Sequence, residues 1–480
     1  MIKFEYNSKK NKVVIVSEDV DFFDELRAHF SVKNEGAHFA RRAGARFVAD
    51  RKYVITPSGV MMAGLYDEVK KYLITKQVTN VTYSPEFDRY ANSGFDFQPY
   101  DAFNKPYELY YYQKDLLKTA ISNGRGVCIL GTGGGKTLVC ASLVQSYYDN
   151  AVDKRSFKAL IIVPTIDLVD QTYKDFTEYG VNFSFTKWKG GTDANAGASV
   201  VICNAAILCS RIKHESSEWV KFVDLLIVDE VHGLSNANKI TEIVSGIVTT
   251  CKYGFTGTLP EDQLTKWNII GAIGPVLYEK SSAELRVEGY LTNASVRRLE
   301  IAYKTSPNSD KANAYYDELD FIYHNEYRNG VIKKICDGYK KNILLLVNHI
   351  DHGIELHRVL SQLDRPVYFI RGTTEVEERQ RVISEMEASE GVICIAISKI
   401  FSTGINVKNL HMLIFASGGK SFIRTVQTIG RGLRKHISKI MFNIIDICDQ
   451  LHYGSEHGSR RATIYDKEKI KHTCISLVER

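Results

Sequence analysis

The chain is 480 residues long, with 44% hydrophobic and 25% charged residues. These fractions are typical of an ordinary folded globular protein, and a chain of this length buries a full core without disulfides. At about 150 residues per domain, the length predicts roughly three domains. The formal net charge of +6 does not by itself indicate a nucleic-acid partner, but it fits one if the basic residues cluster.

The cysteines and the apolar runs indicate the cellular compartment in which the protein is expected. Nine cysteines are scattered along the chain and none forms a C-x-x-C pair, which predicts reduced thiols, mostly in cores, and argues against a zinc site. The first residues lack the apolar run of a signal peptide, and no apolar stretch reaches the roughly 18 residues of a membrane span. We therefore expect a cytoplasmic protein with no membrane partner.

Residues 1–105 predict a small α+β N-terminal domain followed by a linker. Apolar periodicity predicts a strand at 13–16 and helices at 21–30 and 64–73. Between the two helices lies a basic stretch that favours contact with phosphates, although a solvated surface is the alternative; its cations are Arg41, Arg42, Arg46, Arg51 and Lys52. The aromatic residues near this stretch are expected in the core; they are Phe39, Phe47 and Tyr53.

Residues 106–283 and 284–455 both alternate short apolar runs with helical periods. Short apolar runs bounded by polar residues or glycine are typical of buried parallel strands. Such runs lie at 126–130, 159–163, 199–203, 225–228, 343–347, 367–370, 392–396, 412–416 and 440–445. The pattern predicts an α/β fold with two tandem parallel sheets, and residues 456–480 are expected to form a C-terminal tail packed on the core.

A glycine-rich turn follows the first of these predicted strands, with the sequence Thr132-Gly133-Gly134-Gly135-Lys136-Thr137. Glycines let the backbone approach phosphates, and the N–H groups at the start of the next helix bind anions. In this pattern the lysine reaches the outer phosphates of a nucleoside triphosphate and the threonine holds Mg²⁺. The strict eight-residue phosphate-loop pattern fails because Leu130 stands at the position of its first glycine.

A second motif follows the predicted strand at 225–228, with the sequence Asp229-Glu230-Val231-His232. Carboxylates at the carboxyl end of a strand face the crevice where ligands bind in open α/β sheets. We expect Asp229 to hold Mg²⁺ and Glu230 to orient and deprotonate the attacking water. A solvated acidic turn is the alternative, and the phosphate loop about ninety residues earlier argues against it.

A third motif near the end of the chain carries Gln427, Arg431 and Arg434. The two arginines are three residues apart, so they are expected to share one helix face. An arginine from a facing domain neutralises charge that develops on the γ-phosphate, an effect worth roughly 10³–10⁵ in rate. We predict Arg434 as the principal arginine, with Arg431 and Gln427 beside it; a basic surface helix is the alternative.

Taken in order, T-G-x-G-K-T, D-E-x-H and Q-x-x-G-R-x-x-R resemble the motifs of superfamily 2 helicases and translocases. The resemblance covers roughly residues 106–455 and implies two RecA-like domains that close on ATP. It also implies that Gln113 reads adenine, that Gly404 joins the nucleotide site, and that His232 couples the ATP site to other motifs. Nucleic-acid contacts are implied for Pro164, Thr165, Asn204, Thr256, Thr258, Ser402 and Thr403.

The stretches 401–411 and 427–436 more closely resemble the phage UvsW-type DNA helicases, which share a RecG/XPB-like core. That resemblance implies a monomeric enzyme that uses ATP and Mg²⁺ and acts on branched or forked DNA. The implied reactions are fork regression, Holliday junction branch migration and D-loop or R-loop unwinding during phage replication, recombination or repair. Replication and recombination proteins are its expected partners, and the host cytoplasm is its expected location.

Two departures from the family pattern and three alternatives remain. Ala206 stands where this group has a glutamine, and Gly131 stands where a proline is common before the phosphate loop. The same motifs serve RNA helicases of the D-E-x-H type. The chain also fits the motor subunit of a larger DNA-processing complex. A non-catalytic nucleotide-gated clamp is the third alternative, against which Lys136, Glu230 and Arg434 argue.

Overall fold

The structure is a computed structural model that describes residues 1–7, 11–42, 44, 48–87, 94–100, 103, 107–190, 197–212, 215–234, 239–307, 313–398, 407–418 and 422–479. It divides into two compact units, one of residues 1–130 and 135–280 and the other of residues 131–134 and 281–480. Arg46, Ser402, Thr403 and Gly404, which were predicted as site residues, lie outside the described residues.

The N-terminal part of the first unit contains a four-stranded sheet of order β5-β2-β1-β6. Its strands are β1 (Ile2–Asn7), β2 (Lys12–Ser17), β5 (Val60–Met62) and β6 (Val81–Tyr83). A separate two-stranded ribbon joins β3 (Ser31–Lys33) and β4 (Arg51–Tyr53). Helices span Val20–His29, Ala37–Arg42 and Tyr66–Thr75. Apolar side chains from the strands and the longer helices form one core, which includes Phe4, Leu26, Val69 and Phe87.

This N-terminal subdomain packs directly on the helix Gln263–Ile273 of the same unit, because Trp267 and Ile270 belong to its core. The contact is tight at Gly64, where an added Cβ would lie 2.1 Å from the carbonyl oxygen of Ile270. A polar contact supports it, since Asn11 Nδ2 donates to the Ser245 carbonyl at 2.8 Å. The subdomain is therefore joined to the rest of the first unit by core packing and not only by its linker.

The rest of the first unit is built on a seven-stranded sheet of order β13-β7-β12-β11-β8-β10-β9, whose described pairings are all parallel. Its strands are β7 (Arg125–Leu130), β8 (Ala159–Val163), β9 (Phe185–Trp188), β10 (Val200–Asn204), β11 (Leu225–Asp229), β12 (Cys251–Thr256) and β13 (Val276–Lys280). The α-helices that accompany it are Tyr111–Asn123, Lys136–Asp149, Ile166–Tyr179, Ala205–Arg211, Lys239–Gly246 and Gln263–Ile273. The central strands are buried along their length, which explains their continuous apolar runs.

The second unit contains another seven-stranded parallel sheet, of order β16-β17-β15-β18-β19-β14-β20. Its strands are β14 (Asn293–Ala302), β15 (Ile343–Val347), β16 (Val367–Ile370), β17 (Ile393–Ile397), β18 (Met412–Phe415), β19 (Met441–Asp449) and β20 (Lys471–Val478). Helices span Ser282–Val287, Ala314–His324, Glu326–Gly338, Ile350–Leu360, Val376–Ala388, Phe422–Gly432 and His452–Lys467. The predicted fold class, two tandem RecA-like sheets with a small α+β N-terminal part, is confirmed.

Several local predictions need correction or comment. Phe39 and Tyr53, expected in the core, are 72% and 44% exposed, so this prediction is wrong for both. Phe47 lies outside the described residues. Residues 456–480, expected as a tail, form most of the helix His452–Lys467 and the edge strand β20. All nine cysteines are free thiols, and only Cys474 is exposed. Among the helices of the described residues, none is both long and apolar enough to cross a membrane.

Candidate functional site

The phosphate loop connects the carboxyl end of β7 to the helix Lys136–Asp149. Gly133 and Gly135 have φ angles of +89° and +84°, a left-handed backbone that side chains other than glycine adopt at a cost. The Gly134 N–H donates to the Gly131 carbonyl at 2.9 Å, which closes the turn. The first N–H groups of a 14-residue helix therefore follow directly on a glycine turn, as an anion site requires.

Gln113, predicted to read adenine, lies against this loop. Its side chain is 2% exposed, and its Oε1 accepts from the Tyr110 N–H at 2.9 Å. A Cβ added to Gly135 would lie 2.4 Å from Gln113 Nε2, so this glutamine packs directly on the last glycine of the loop. The structure thus brings Gln113 and the loop together, while the contact with adenine stays a prediction.

The acidic pair lies at the carboxyl end of β11, two strands from β7 in the sheet. Glu230 has a φ of +48°, a left-handed conformation that costs a non-glycine residue about 1–3 kcal/mol and that clusters at functional sites. Its Oε1 lies 3.6 Å from Lys136 Nζ, and the two side chains are 19% and 12% exposed. The structure therefore brings together the lysine and the carboxylate that the sequence placed about ninety residues apart.

Asp229 is in a different electrostatic environment from Glu230. The pKa of its carboxyl is raised to about 6, chiefly by burial and also by the neighbouring Glu230 charge, with Lys136 acting in the opposite direction. Its Oδ1 is buried and has no hydrogen-bond partner among the described residues. A buried carboxylate oxygen without a partner is costly unless a cation or a donor satisfies it. With Thr137 at the second position of the adjacent helix, the residues present fit a hard cation such as Mg²⁺.

His232 links the acidic pair to the next strand. Its Nδ1 lies 3.2 Å from Glu230 Oε2 and 3.1 Å from Thr256 Oγ1, the last residue of β12. Thr256 Oγ1 in turn donates to the Thr258 carbonyl at 2.8 Å. A continuous set of polar contacts therefore runs from Lys136 through Glu230 and His232 to Thr256. Predicted as a coupling residue, His232 occupies a position that suits this role.

The predicted nucleic-acid residues of the first sheet lie where parallel strands end. Pro164 and Thr165 follow β8, and Asn204 ends β10. Thr165 Oγ1 accepts from the Leu168 N–H and Asn204 Oδ1 from the Ile207 N–H, so both side chains cap helices. Helix capping explains these residue types without a nucleic acid. Their predicted contacts with nucleic acid stay predictions.

Arg41 and Arg42 of the N-terminal subdomain are exposed. Arg41 pairs with Asp50 and donates to the Val48 carbonyl, while Arg42 lies on the same short helix. The ribbon of β3 and β4 carries Arg51 and Lys52 of the predicted basic stretch and brings Lys33 opposite Arg51, a pairing that the sequence pattern did not predict because both strands are only three residues long. Its exposed side chains are Lys33, Arg51, Lys52 and Tyr53.

The third motif lies on the helix Phe422–Gly432 of the second unit. Gln427 and Arg431 are within this helix, but Arg434 follows its end, so the prediction that both arginines share one helix face is wrong. At Gly432, the last residue of the helix, the Phe442 ring packs so closely that an added Cβ would lie 2.0 Å from it. The first residue beyond the helix, Leu433, accepts a hydrogen bond from outside the helix: the Thr292 N–H donates to its carbonyl at 2.7 Å.

Two family models match the chain. Residues 106–261 match the model described as type III restriction enzyme, res subunit, and residues 327–436 match the model described as helicase conserved C-terminal domain. The first match contains the phosphate loop and the acidic pair, and the second contains the helix with Gln427 and Arg431.

Similar proteins span most of the chain. It is 28% identical to the ATP-dependent DNA helicase uvsW of Enterobacteria phage T4, over 94% of each chain. It is 22% identical to the DNA 3'-5' translocase XPB2 of Sulfurisphaera tokodaii, over 78% of this chain and 87% of that protein. A fragment assigned as the HsdR subunit of a type I restriction enzyme from Vibrio vulnificus shares the fold, with a TM-score of 0.60 and 18% identity over 90% of this chain and 85% of its own. With its two parallel sheets and both helicase motif sets, the chain belongs to the superfamily 2 helicases, as an ATP-hydrolysing enzyme of the UvsW/XPB type.

Proposed function

We propose that this helicase is a DNA translocase that acts on branched DNA during phage replication, recombination or repair. Its reactions would be fork regression, Holliday junction branch migration and the unwinding of D-loops and R-loops. The similarity to the T4 uvsW helicase, which extends over 94% of both chains and includes the N-terminal subdomain, supports this substrate class. We infer that it works as a monomer in the host cytoplasm, alongside replication and recombination proteins.

The observation that carries the ATPase chemistry is the set of contacts from Lys136 through Glu230 to His232. Lys136 and the loop N–H groups of Thr132–Gly135 would bind the phosphates of ATP. Gln113 would contact the adenine base. Glu230 would orient the attacking water and accept its proton, a role worth about 10²–10⁴ in rate. The Lys136 and His232 contacts hold this carboxylate in one orientation before the substrate arrives.

Mg²⁺ would be held by Asp229 and Thr137 and would neutralise charge on the phosphates. The raised pKa of Asp229 reflects a carboxyl that is poorly compensated by the chain alone. Lys136 supplies part of the opposing charge, because it lowers that pKa. A neutral Asn at this position would not supply the ionised oxygen.

The second unit would complete the site. We propose that Arg434, assisted by Arg431 and Gln427, stabilises the charge that develops on the γ-phosphate, and that Gly404 lies near the nucleotide. Hydrolysis would then require the ATP-binding domain, residues 106–283, and the arginine-bearing domain, residues 284–455, to close. Alternate closing and opening would move the enzyme along DNA, as in other nucleotide-gated domain motions.

DNA would be held mainly by its phosphates, because a translocase must pass over every sequence. The proposed contacts in the two sheets are Pro164, Thr165, Asn204, Thr256, Thr258, Ser402 and Thr403. His232 would couple them to the ATP site. In the N-terminal subdomain, residues 1–105, the proposed contacts are Arg41, Arg42 and Arg46. The exposed ribbon cations, Lys33, Arg51 and Lys52, would extend this basic surface.

Unwinding of a panel of forks, Holliday junctions, D-loops and blunt duplexes tests the proposal. We expect ATP-dependent activity on the branched substrates and little on blunt duplexes. The Glu230→Gln variant should bind ATP yet lose turnover, and it serves as the catalytic control. Activity on simple duplexes with none on junctions would refute the branched-DNA assignment.

An RNA helicase of the D-E-x-H type is the competing function, because the core motifs serve both nucleic acids. Measuring ATPase stimulation by a four-way DNA junction and by a structured RNA of equal length separates them. Stronger stimulation by RNA would favour the competitor. The match to a restriction-enzyme subunit model keeps a motor role within a larger complex as a further alternative, which size-exclusion chromatography with DNA would test.

A further inference from the structure

The backbone that carries Arg434 is held from two sides within the second unit. It forms a short turn between the end of the helix Phe422–Gly432 and β19. Because an arginine side chain is long, its guanidinium is only as well placed as the backbone from which it extends. Two buried residues, Lys439 and Thr292, together bond to three consecutive carbonyl groups at and beyond the end of this helix.

Lys439 closes the end of the helix. Its side chain is 6% exposed, and its Nζ donates to the Gly432 carbonyl at 2.7 Å and to the Lys408 carbonyl at 3.0 Å. Gly432 is the last residue of the helix, and Lys408 lies in the segment that leads into β18. One buried ammonium group therefore joins the helix that bears Arg431 to a segment that is distant in the chain.

Thr292 holds the next two residues. It directly precedes β14 and is 5% exposed. Its N–H donates to the Leu433 carbonyl at 2.7 Å, and its Oγ1 lies 3.4 Å from the Arg434 carbonyl, to which it donates. Together with Lys439, it engages the carbonyl groups of residues 432, 433 and 434 in turn.

A buried lysine in this position has a cost, which indicates a purpose beyond filling space. The pKa of Lys439 is lowered to about 8, chiefly by burial; Glu387 opposes this shift, and the positive charge of Arg434 adds to it. Placing an ammonium group near an arginine guanidinium is unfavourable, and a methionine of similar length would avoid that cost. Lysine offers what methionine lacks, namely donors for two carbonyl groups.

We propose that Lys439 and Thr292 are positioning residues that fix the backbone of Arg434, so that its guanidinium is in place when the ATP site closes. This inference rests on the role proposed above for Arg434. Neither residue needs to contact the nucleotide, since both act through the turn. The loss of either should reduce turnover without changing the binding of ATP.

The test combines three variants with a matched control. Lys439→Met removes the donors at nearly constant volume, Thr292→Val removes only Oγ1, and Thr292→Ser restores it. Lys435→Met, at an exposed lysine in the same turn, is the control. A misplaced catalytic group costs up to about 10²-fold, so we expect kcat for DNA-stimulated ATP hydrolysis to fall roughly 10- to 100-fold in Lys439→Met. The KM for ATP should stay within about twofold, because ground-state binding is unaffected.

A double-mutant cycle with Arg434→Ala decides whether the effect passes through this arginine. The readout is the affinity for ADP with aluminium fluoride, which mimics the phosphoryl-transfer state. Lys439→Met should weaken this affinity in the wild-type background and leave it unchanged in the Arg434→Ala background. Equal weakening in both backgrounds, or wild-type kcat in Lys439→Met, would overturn the proposal.

The remaining outcomes are also decisive. If thermal denaturation shows that Lys439→Met does not fold, the two Thr292 variants provide the test. Thr292→Val should lower kcat, and Thr292→Ser should restore it. Equal activity of these two variants would reject the positioning role. If Arg434→Ala itself retains full ATPase activity, the role proposed for Arg434 is wrong and the positioning inference falls with it. DNA-stimulated ATPase activity of the wild-type protein tests the proposed function separately.

Discussion

Replacing His352 by glutamine should make the second unit less sensitive to acid. The imidazole is fully buried, with Nε2 3.2 Å from Arg328 Nη1 and Nδ1 3.1 Å from Ser417 Oγ. The Tyr323 ring stacks on it, with the centroids 4.5 Å apart. Burial lowers the pKa of His352 well below 6.5, and the charges of Arg328, His349 and His324 lower it further.

The direction of the pH effect follows from this lowered pKa. In the unfolded chain the histidine binds a proton below about pH 6.5, whereas in the folded protein it stays neutral. Its contribution to stability is therefore fully present above about pH 6.5 and is lost as the pH falls towards the folded pKa. Each pH unit in that window costs about 1.4 kcal/mol, so acidification to about pH 5 should remove roughly 2 kcal/mol.

Hydrogen exchange of the β15 amides at about pH 7.5 and 5 measures the local free energy of opening. The glutamine of His352→Gln keeps an acceptor and a donor but cannot titrate. Between the two pH values, the free energy of opening should therefore fall by roughly 2 kcal/mol less in this variant than in the wild type. The exposed His452, replaced in the same way, is the control. If wild type and His352→Gln lose stability in parallel between the two pH values, the reasoning is refuted.

Four further substitutions have defined outcomes. Gly64→Ala should destabilise the protein by about 1–3 kcal/mol in thermal unfolding, because the new Cβ meets the Ile270 carbonyl. Its control, Gly330→Ala, lies in a helix with open space around it and should stabilise the protein by up to about 1 kcal/mol. Equal shifts in the two variants would contradict the packing at Gly64. Arg328→Met should cost about 3–5 kcal/mol in denaturant unfolding, since it leaves a buried carboxylate unpaired, and a cost under about 1 kcal/mol would contradict that pairing. His232→Ala should lower DNA stimulation of ATP turnover roughly 3- to 30-fold with an unchanged KM for ATP, and intact stimulation would remove its coupling role.

The sequence located the strands that are buried on both faces. The bounds of β8 and β15 agree with the predicted runs residue for residue, because a strand covered by helices on both sides must be continuously apolar. The bounds of β16 agree as well, although β16 is an edge strand that is only partly buried. Two strands that the pattern did not predict break this rule. β12 carries the fully buried Lys252, whose Nζ donates to the Val244 carbonyl, and β20 is an exposed edge strand.

The sequence by itself predicted the chemistry that we propose for the ATP site, because the phosphate loop and the acidic pair are local motifs whose residue types suit phosphate and Mg²⁺ binding. It could not place Lys136 beside Glu230 or His232 between Glu230 and Thr256, since these contacts depend on the order of strands in the sheet. Nor could it place Arg434 beyond its helix. That position results from contacts with Thr292, Lys439 and Phe442, residues whose proximity only the folded chain decides.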